Sequence, residues 1–434
     1  MMRPFCFMVP FWGQRYRDYF VDRCLPSLLA PNNLPLLRAA DGHRILMATT
    51  PADWEAISNL PLMERLRSYA TPTLVDIPSP LSDTAPGGAD AIRHMNLCLR
   101  SLTQAAHGYR AYGCSLLPDV IVSDGMVASL IRRAQAGYHL VLCTALRQTE
   151  ETVLAEMSER GLMPKSSRLS ASGEALTIPP RVMADIAIRH LHADVAIFEE
   201  GNRAQPFLPP YRFWRVPGRS GLILHGFFAA PILMDYGIVD THDVSCFSAG
   251  GFEHEYLQDN FYKGRMHLVQ DSDELAMLSL TPRSVVLAKP GARRRPLQRS
   301  RWAQQLSMRV SLGIYAREPC DLLKRDLFRL PIRWHADDLD DAWRLQERSI
   351  AARIEAAVGD YYALADGPNN KRFPLRIGFN PRHLLGDILT LVVAASPYLA
   401  VLKRAATGDR YARSRIKQRL SGLFGVGLST RFGR

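Results

Sequence analysis

The chain has 434 residues, of which 47% are hydrophobic, 22% charged and 9% aromatic. This composition is typical of a folded globular protein and excludes a disordered chain, a collagen-like chain and a small disulfide-stabilised domain. The length predicts two domains, or one large domain with an appendage.

Strands and helices are predicted to alternate through the first third of the chain. Apolar runs predict strands, and apolar residues repeating every three or four positions predict the intervening helices. The predicted strands are 5–11, 43–50, 72–78, 116–125 and 138–147, and the predicted helices are 15–30, 91–108, 126–137 and one that begins at Pro51. This order predicts an α/β fold with a Rossmann-like, mostly parallel sheet and helices on both faces.

The composition and the predicted secondary structure change in the remainder of the chain. Residues 193–280 are rich in aromatic residues, glycine and proline, which predicts short strands and loops that close a substrate pocket over a sheet edge. Helical patterns then run from Trp302 to Leu364. We therefore predict a catalytic domain over 1–282 and a basic, mainly helical region over 283–434.

The acidic residue most suggestive of chemistry follows an apolar run, in the sequence Ser123-Asp124-Gly125. An aspartate at the end of a strand lies at the carboxyl edge of the sheet, where open α/β folds bind ligands. Asp124 is a candidate ligand for a hard cation or a ribose hydroxyl. The alternative is an aspartate that caps the following helix or forms a turn.

Two stretches resemble a known family. Residues 118–142 resemble the acidic-motif region of GT-A-type nucleotide-sugar glycosyltransferases, in which an apolar strand ends in a DxD-like turn before a helix and another strand. Residues 9–37, with the strand 43–50, resemble the opening strand-helix-strand of that family. The likeness extends over about residues 5–282 and is strongest to a group of bacterial glycosyltransferase-like proteins.

The resemblance implies a GT-A fold, a nucleotide-sugar donor and often Mg or Mn. It implies that Asp124 is the metal or ribose ligand, with the other donor-binding residues on the same strands and the adjoining helix. Those candidates are Pro10, Phe11, Trp12, Thr49, Thr50, Arg93, Asn96 and Ser123. The DxD position has one carboxylate where the family has two, which puts metal dependence and catalytic activity in question.

An inverting transfer also needs a general base for the acceptor hydroxyl. The candidates are Glu253, Glu255 and Asp273. His225, in an apolar strand, is either a further metal ligand or a core histidine.

Two basic segments carry more positive charge than the whole chain, whose formal net charge is +12, so the rest of the chain is slightly acidic. Residues 285–310 contain seven basic residues and no acidic one, and residues 401–434 contain nine basic residues and one acidic one. Such segments favour an anionic partner, and apolar positions beside the arginines near 413–424 suit a helix at a membrane surface. The alternative is an arginine-rich, solvated surface.

Three features of the sequence bear on where the protein is located in the cell. No signal peptide is predicted at the start, and the apolar stretch 384–402 contains Asp387 and Pro397 and is predicted to be buried or interfacial. The seven cysteines show no metal-ligand spacing and are predicted to be buried thiols in a reducing compartment. We expect a cytoplasmic protein that associates peripherally with the inner membrane face.

The sequence thus predicts a glycosyltransferase that moves a sugar from a nucleotide-sugar donor to a glycan, lipid-linked or protein acceptor. A second reading is a catalytically silent, glycosyltransferase-like scaffold. A third is a nucleic-acid-binding protein that uses the arginine clusters, although no aromatic residues alternate with those clusters to stack on bases.

Overall fold

Strand β1 (Phe5–Pro10) lies in the middle of the main sheet and is buried along its whole length. It pairs in parallel with β2 (Arg44–Thr49) on one side and with β4 (Tyr112–Ser115) on the other. These details come from a computed structural model that describes residues 2–77, 89–163, 172–202, 204–248, 254–261, 264–285, 301–315 and 322–365.

The strands form three sheets in the described ranges. The main sheet has seven strands in the order β11-β6-β10-β4-β1-β2-β3, and two three-stranded sheets have the orders β5-β12-β7 and β13-β9-β8. The remaining strands are β3 (Thr71–Asp76), β5 (Val120–Val122), β6 (Leu140–Cys143), β7 (Leu146–Thr149), β8 (Tyr211–Arg215), β9 (Gly221–Gly226), β10 (Ala230–Asp235), β11 (Met266–Leu268), β12 (Met277–Thr281) and β13 (Ile332–His335).

Helices cover both faces of the main sheet because alternate residues of β1 enter different cores. Phe5, Phe7 and Val9 pack in one core, and Cys6 and Met8 pack in the other. The first core receives residues from α1 (Gly13–Tyr19), α2 (Leu25–Leu28), α4 (Pro61–Arg67) and α6 (Met126–Gln135), and the second receives residues from α5 (Ala89–Gly108). The predicted mostly parallel α/β fold is confirmed.

The helices have the following bounds. They are α1 (Gly13–Tyr19), α2 (Leu25–Leu28), α3 (Pro51–Ser58), α4 (Pro61–Arg67), α5 (Ala89–Gly108), α6 (Met126–Gln135), α7 (Glu150–Glu159), α8 (Pro180–Arg189), α9 (Ala193–Ala196), α10 (His254–Phe261), α11 (Arg301–Tyr315), α12 (Leu322–Arg329) and α13 (Asp341–Ala365). A π-helical turn, Phe20–Cys24, joins α1 to α2.

The predicted strand 116–125 was wrong in its bounds. The strand beside β1 is β4, which ends at Ser115, and the chain leaves the main sheet before forming β5 in the second sheet. Pro118 lies at this break, where a residue without a backbone N–H cannot continue a central strand. The predicted strand 138–147 is likewise divided into β6 and β7.

The C-terminal part packs on the β8-β9 hairpin. Strand β13 pairs antiparallel with β9, and Trp343 and Ile350 of α13 join Trp214 and Ile223 in a third core. Backbone pairing therefore crosses the predicted boundary at 282/283, while the division into two domains stays a prediction. No helix in the described part is both long and apolar enough to cross a bilayer.

Most of the basic sequence lies outside the described residues. This applies to 286–300 and to everything after 365, including the apolar stretch 384–402. The six described cysteines are buried free thiols, as predicted.

Gly221 tests the docking of α13 on β9. A Cβ atom at this position would overlap the ring of Trp343 and lie 3.1 Å from the carbonyl oxygen of Trp334. Gly221→Ala should lower the free energy of unfolding by about 1–3 kcal/mol, as overpacking does in other cores. Gly108→Ala is the control, because no atom lies within 4 Å of its added Cβ; equal urea midpoints for both variants would contradict this packing.

Glu274 tests the attachment of α6 to β11. Burial alone would raise the pKa of Glu274, but hydrogen bonds from His267, Arg133 and Ser129 lower it to about 2. This stabilisation is present above the ordinary pKa of 4.5 and is lost as the pH falls toward 2.

Glu274→Gln should therefore cost about 1–3 kcal/mol in urea denaturation at pH 7, and much less at pH 3. Glu55→Gln, at an exposed position of α3, is the control. A cost that stays the same at both pH values would show that the charge of Glu274 does not matter.

Candidate functional site

Six strands of the main sheet run in one direction and end at the same edge, since β3 is parallel to β2 and β11 is parallel to β6. Strands β2 and β4 run parallel to β1, and β6 has the same direction because β10 is antiparallel to both β4 and β6. The loops after β1, β2, β4 and β6 therefore leave from one side, which we call the carboxyl edge. Open α/β sheets bind ligands at this side.

At the end of β1, Pro10 and Phe11 lie in the core, and Trp12 lies at the carboxyl edge. The Phe11 amide donates to the Ala48 carbonyl (3.0 Å), and the Phe11 ring is buried against Phe20, with centroids 5.0 Å apart. Pro10 is also buried. Trp12 is half-buried, and its ring meets His94 of α5 edge to face at 4.5 Å.

The loops after β1 and β2 are locked together by Asp53. Its carboxylate accepts hydrogen bonds from the Gly13 amide (2.8 Å) and the Thr50 hydroxyl (2.9 Å), and it pairs with Arg17 (3.2 Å). Thr50 also caps α3 by accepting the Asp53 amide. Thr50, one of the predicted donor-binding residues, thus helps to hold the loops after β1 and β2 in place.

Three buried polar atoms around this edge have no hydrogen-bond partner among the residues that the structure describes. They are Thr49 Oγ1 at the end of β2, Thr144 Oγ1 just after β6 and His94 Nε2 on the first turns of α5. A buried polar group without a partner carries a desolvation cost. Polar groups of a ligand that entered the edge would reduce that cost.

Asp119 is the carboxylate that the strand break places at this edge. It lies in the connection between β4 and β5, and its carbonyl accepts the Leu280 amide (3.0 Å). Burial raises the pKa of Asp119 to about 6, against the opposing charges of Arg147 and Arg15. Sequence reasoning missed Asp119 because it assumed an unbroken strand through Pro118.

Two arginines act electrostatically on Asp119, and they differ in how they are paired. Arg15 donates to the Tyr19 hydroxyl (3.1 Å) and lies 3.9 Å from Glu150, which also accepts a hydrogen bond from Tyr19. Arg147, on β7, is exposed, and its guanidinium has no hydrogen bond or ion pair to any residue in the described part of the chain. An exposed guanidinium without a partner among the described residues is suited to bind an anionic group.

Asp124 has a structural role in the loop after β5. One carboxylate oxygen accepts the Asn32 amide and the other accepts the Asn32 side chain, each at 2.8 Å. Ser123 is buried, and its hydroxyl accepts the Ala276 amide (3.1 Å). Because β5 belongs to the second sheet, the placement of Asp124 at the end of a main-sheet strand was wrong. Donor or cation binding by Asp124 stays a prediction.

Arg93 and Asn96 both lie near the start of α5. Arg93 is exposed and pairs with Asp90 at 3.5 Å, while Asn96 is partly buried. Neither has a contact that tests the predicted role in donor binding.

His225 is a core residue of the third sheet. Its Nδ1 lies 2.9 Å from the Phe328 carbonyl, and its ring meets Trp214 and Phe328 edge to face. Burial lowers its pKa to about 4. These surroundings fit the alternative of a satisfied core histidine, and metal binding by His225 stays a prediction.

One of the three base candidates can be located. Glu253 lies outside the described residues, and the side chain of Glu255 on α10 is not described either. Asp273 is exposed and pairs with Arg181 at 3.0 Å.

Asp273 also belongs to a group with Asp271 and His335, whose ligating atoms lie within 4.8 Å of one another. In the ranges that the structure describes, this is the one group of three such side chains. Arg181 bridges Asp273 to Asp338, and His335 pairs with Asp271 at 2.8 Å. The group is therefore an ion-pair network between α8 and the C-terminal part.

The comparisons with known proteins give little further information. No family model and no curated protein matches the sequence. Among solved structures, the crystal structure of S. aureus TarS matches with a TM-score of 0.20 and 13% identity. The match covers 44% of this chain and 41% of the TarS chain, so the protein spans less than half of that structure.

Asp119→Asn tests the electrostatics of the edge. The folded protein holds a proton on Asp119 up to a pH of about 6, above its ordinary pKa of 3.8, so ionised Asp119 destabilises the fold at higher pH. The substitution should raise the free energy of unfolding at pH 8, by an amount on the order of 1 kcal/mol, and change it little at pH 4.

The matched control is Asp41→Asn, which removes an exposed carboxylate in the turn before β2. Urea denaturation at both pH values measures the difference. Destabilisation of Asp119→Asn at pH 8 would show that the carboxylate is a stabilising structural group.

Proposed function

We propose that the protein is a glycosyltransferase that binds a nucleotide-sugar donor along the carboxyl edge of the main sheet. The observation that carries this proposal is the exposed guanidinium of Arg147, which has no hydrogen-bond or ion-pair partner in the described part of the chain and acts electrostatically on the partly buried carboxyl of Asp119. A nucleotide-sugar donor carries phosphate groups, and arginine binds phosphate oxygens with two parallel hydrogen bonds.

The edge also offers a surface for the nucleobase. Trp12 is half-buried next to His94, and unsatisfied polar atoms of Thr49 and His94 lie in the same region. An aromatic ring with polar groups nearby is the combination that stacks on a base and bonds to its edge. In this arrangement the nucleoside lies toward Trp12 and the phosphates lie toward Arg147.

Asp119 is our candidate for the proton acceptor. In an inverting transfer, the acceptor hydroxyl attacks the anomeric carbon, the bond to the phosphate oxygen breaks, and the hydroxyl proton passes to a base. A carboxylate with a pKa of about 6 is mostly ionised at neutral pH and accepts a proton more readily than an ordinary one. Glu253, Glu255 and Asp273 stay predictions for this role.

The acceptor supplies the hydroxyl that attacks the anomeric carbon. A glycan, a lipid-linked sugar or a protein would be compatible with the edge. Attachment of the basic segments to an anionic membrane surface stays a prediction, because most of those residues lie outside the described part.

The first experiment measures donor binding and donor cleavage on the full chain. Thermal unfolding is followed with UDP, GDP and CMP and their sugars, since a ligand at 100 times its dissociation constant stabilises a protein by about 2.7 kcal/mol. Cleavage is followed as release of free sugar to water, which needs no identified acceptor. We expect one nucleotide sugar to stabilise the protein and to be cleaved slowly.

The variants separate the possible outcomes. Asp119→Asn should bind the donor and lose cleavage by about 100-fold or more, the size of a general-base contribution. Cleavage by the wild type should rise with pH through about 6, and Asp41→Asn should behave as wild type. Binding without cleavage in the wild type would favour the catalytically silent scaffold, and the absence of any nucleotide response would refute the donor site.

A further inference from the structure

His335 lies at the end of β13, where the C-terminal part meets the rest of the chain, and its ring is buried. Its Nδ1 lies 2.7 Å from the carbonyl oxygen of Asp337, and its Nε2 lies 2.8 Å from a carboxylate oxygen of Asp271. Asp271 belongs to the connection between β11 and β12. The ring therefore joins two segments that are 64 residues apart in the chain.

Both partners of the His335 ring are hydrogen-bond acceptors. A backbone carbonyl oxygen can only accept, and so can an ionised carboxylate. A neutral imidazole has one N–H and can make only one of these two bonds, whereas the imidazolium ion has two N–H groups and can make both. We propose that His335 is protonated in the folded protein and forms a pH-sensitive link between β13 and the β11–β12 connection. When the proton leaves, this link loses one hydrogen bond and its ion pair.

The acidic groups of the β11–β12 connection favour the charged ring. Asp271 bonds to the ring, and Asp273 acts on it electrostatically. Burial alone would lower the pKa of His335, but the bonds to Asp271 and to the Asp337 carbonyl raise it above the ordinary value of 6.5. Burial likewise opposes the ionisation of Asp271, but hydrogen bonds from the His335 ring and the Asp273 amide lower the pKa of that carboxyl.

The cations on the neighbouring elements are paired with other carboxylates. These ion pairs are Arg333 of β13 with Glu347 of α13, and Arg181 of α8 with Asp273 and Asp338. Because each positive charge is balanced by a carboxylate in contact with it, it opposes protonation of the ring only weakly. Helix α13 also contributes the uncharged ring of Trp343, which meets the imidazole edge to face with centroids 5.6 Å apart.

Backbone hydrogen bonds hold the two segments together beside the ring. The Arg333 amide donates to the Gln270 carbonyl (2.7 Å), and the Ser272 amide donates to the Arg333 carbonyl (2.9 Å). The His335 amide donates to the Ser272 hydroxyl (3.0 Å). These bonds do not titrate, so loss of the proton should weaken the contact between the segments without detaching β13.

The direction of the pH dependence follows from the raised pKa of His335. The stabilisation is complete below pH 6.5, the ordinary pKa, and is lost as the pH rises through the pKa of the folded protein. The test is NMR of the full chain with ¹⁵N-labelled histidine rings, in which the His335 signals are assigned by their absence from His335→Gln. We expect both ring nitrogens to be protonated at pH 6 and the ring to titrate above pH 6.5.

A pair of aspartate variants tests the partner of the ring. Asp271→Asn should lower the pH at which His335 titrates, because it removes the negative charge that stabilises the imidazolium. Asp41→Asn, which changes an exposed carboxylate in the turn before β2, should leave that pH unchanged.

Urea denaturation tests whether the proton stabilises the fold. The decrease in midpoint caused by His335→Gln should be larger at pH 6 than at pH 9. His43→Gln is the control, because the Nδ1 of His43 accepts the Phe5 amide (2.9 Å), which requires a neutral ring, so its effect should not shrink as the pH rises.

Three results would overturn the proposal. They are a His335 ring that is neutral at pH 6, a ring that titrates at or below pH 6.5, and an effect of His335→Gln that is equal at both pH values. If His335→Gln does not fold, the histidine signals that shift in Asp271→Asn and not in Asp41→Asn identify the ring, and its titration still decides.

Discussion

The burial of β1 on both faces is the constraint on which the arrangement of this protein depends. A central parallel strand must have apolar residues on both sides, and β1 satisfies this by sending alternate residues into two cores. Polar chemistry is therefore excluded from the body of the sheet. It can occur only where the strands end, and Trp12, Thr50 and Asp119 all follow strand ends.

The break after β4 gives this edge its charge. Because the chain leaves the main sheet near Pro118, Asp119 is held between two sheets, where its carboxylate is desolvated and its pKa is raised. Parallel β6 makes the same kind of departure into β7, which brings Arg147 to the same region. The chain breaks after β4 and after β6, two strands separated by β10, thus supply the two charges of the candidate site.

The stability of the fold and the chemistry of the edge make opposite demands. The Glu274 network and the Asp53 lock are carboxylates with several donors each, and they fasten loops and helices to the sheets. The side chains of Asp119 and Arg147 do not have several partners of this kind in the described ranges. Thr49, Thr144 and His94 each have a buried polar atom without a hydrogen-bond partner there. Polar groups at this edge that have no hydrogen-bond partner in the described ranges are the physical basis for placing a ligand there.

The sequence predicted what depends on local pattern and missed what depends on distant pairing. Periodicity was sufficient for β1, β2, α5 and α6, and it gave the order of strands and helices that defines the fold class. It could not show that β10 inserts antiparallel between β4 and β6, since those pairings join residues far apart in the chain. The engagement of Asp124 by Asn32 spans 92 residues and is invisible in a motif.

Asp119 could have been found from the sequence, because a proline inside a predicted central strand signals a break. Arg147 could not, since only the tertiary structure shows that no described residue forms a hydrogen bond or ion pair with its guanidinium.

The most direct test of the central claim is amide hydrogen exchange of the full chain, with and without saturating UDP, GDP or CMP. The claim is that ligands bind where the main-sheet strands end. It predicts that the nucleotide which binds will slow exchange in peptides covering 10–15, 116–120 and 144–150, and will leave β8, β9 and β13 unchanged. Protection confined to the C-terminal helices or the β8-β9-β13 sheet would contradict the claim and move the binding site away from the carboxyl edge.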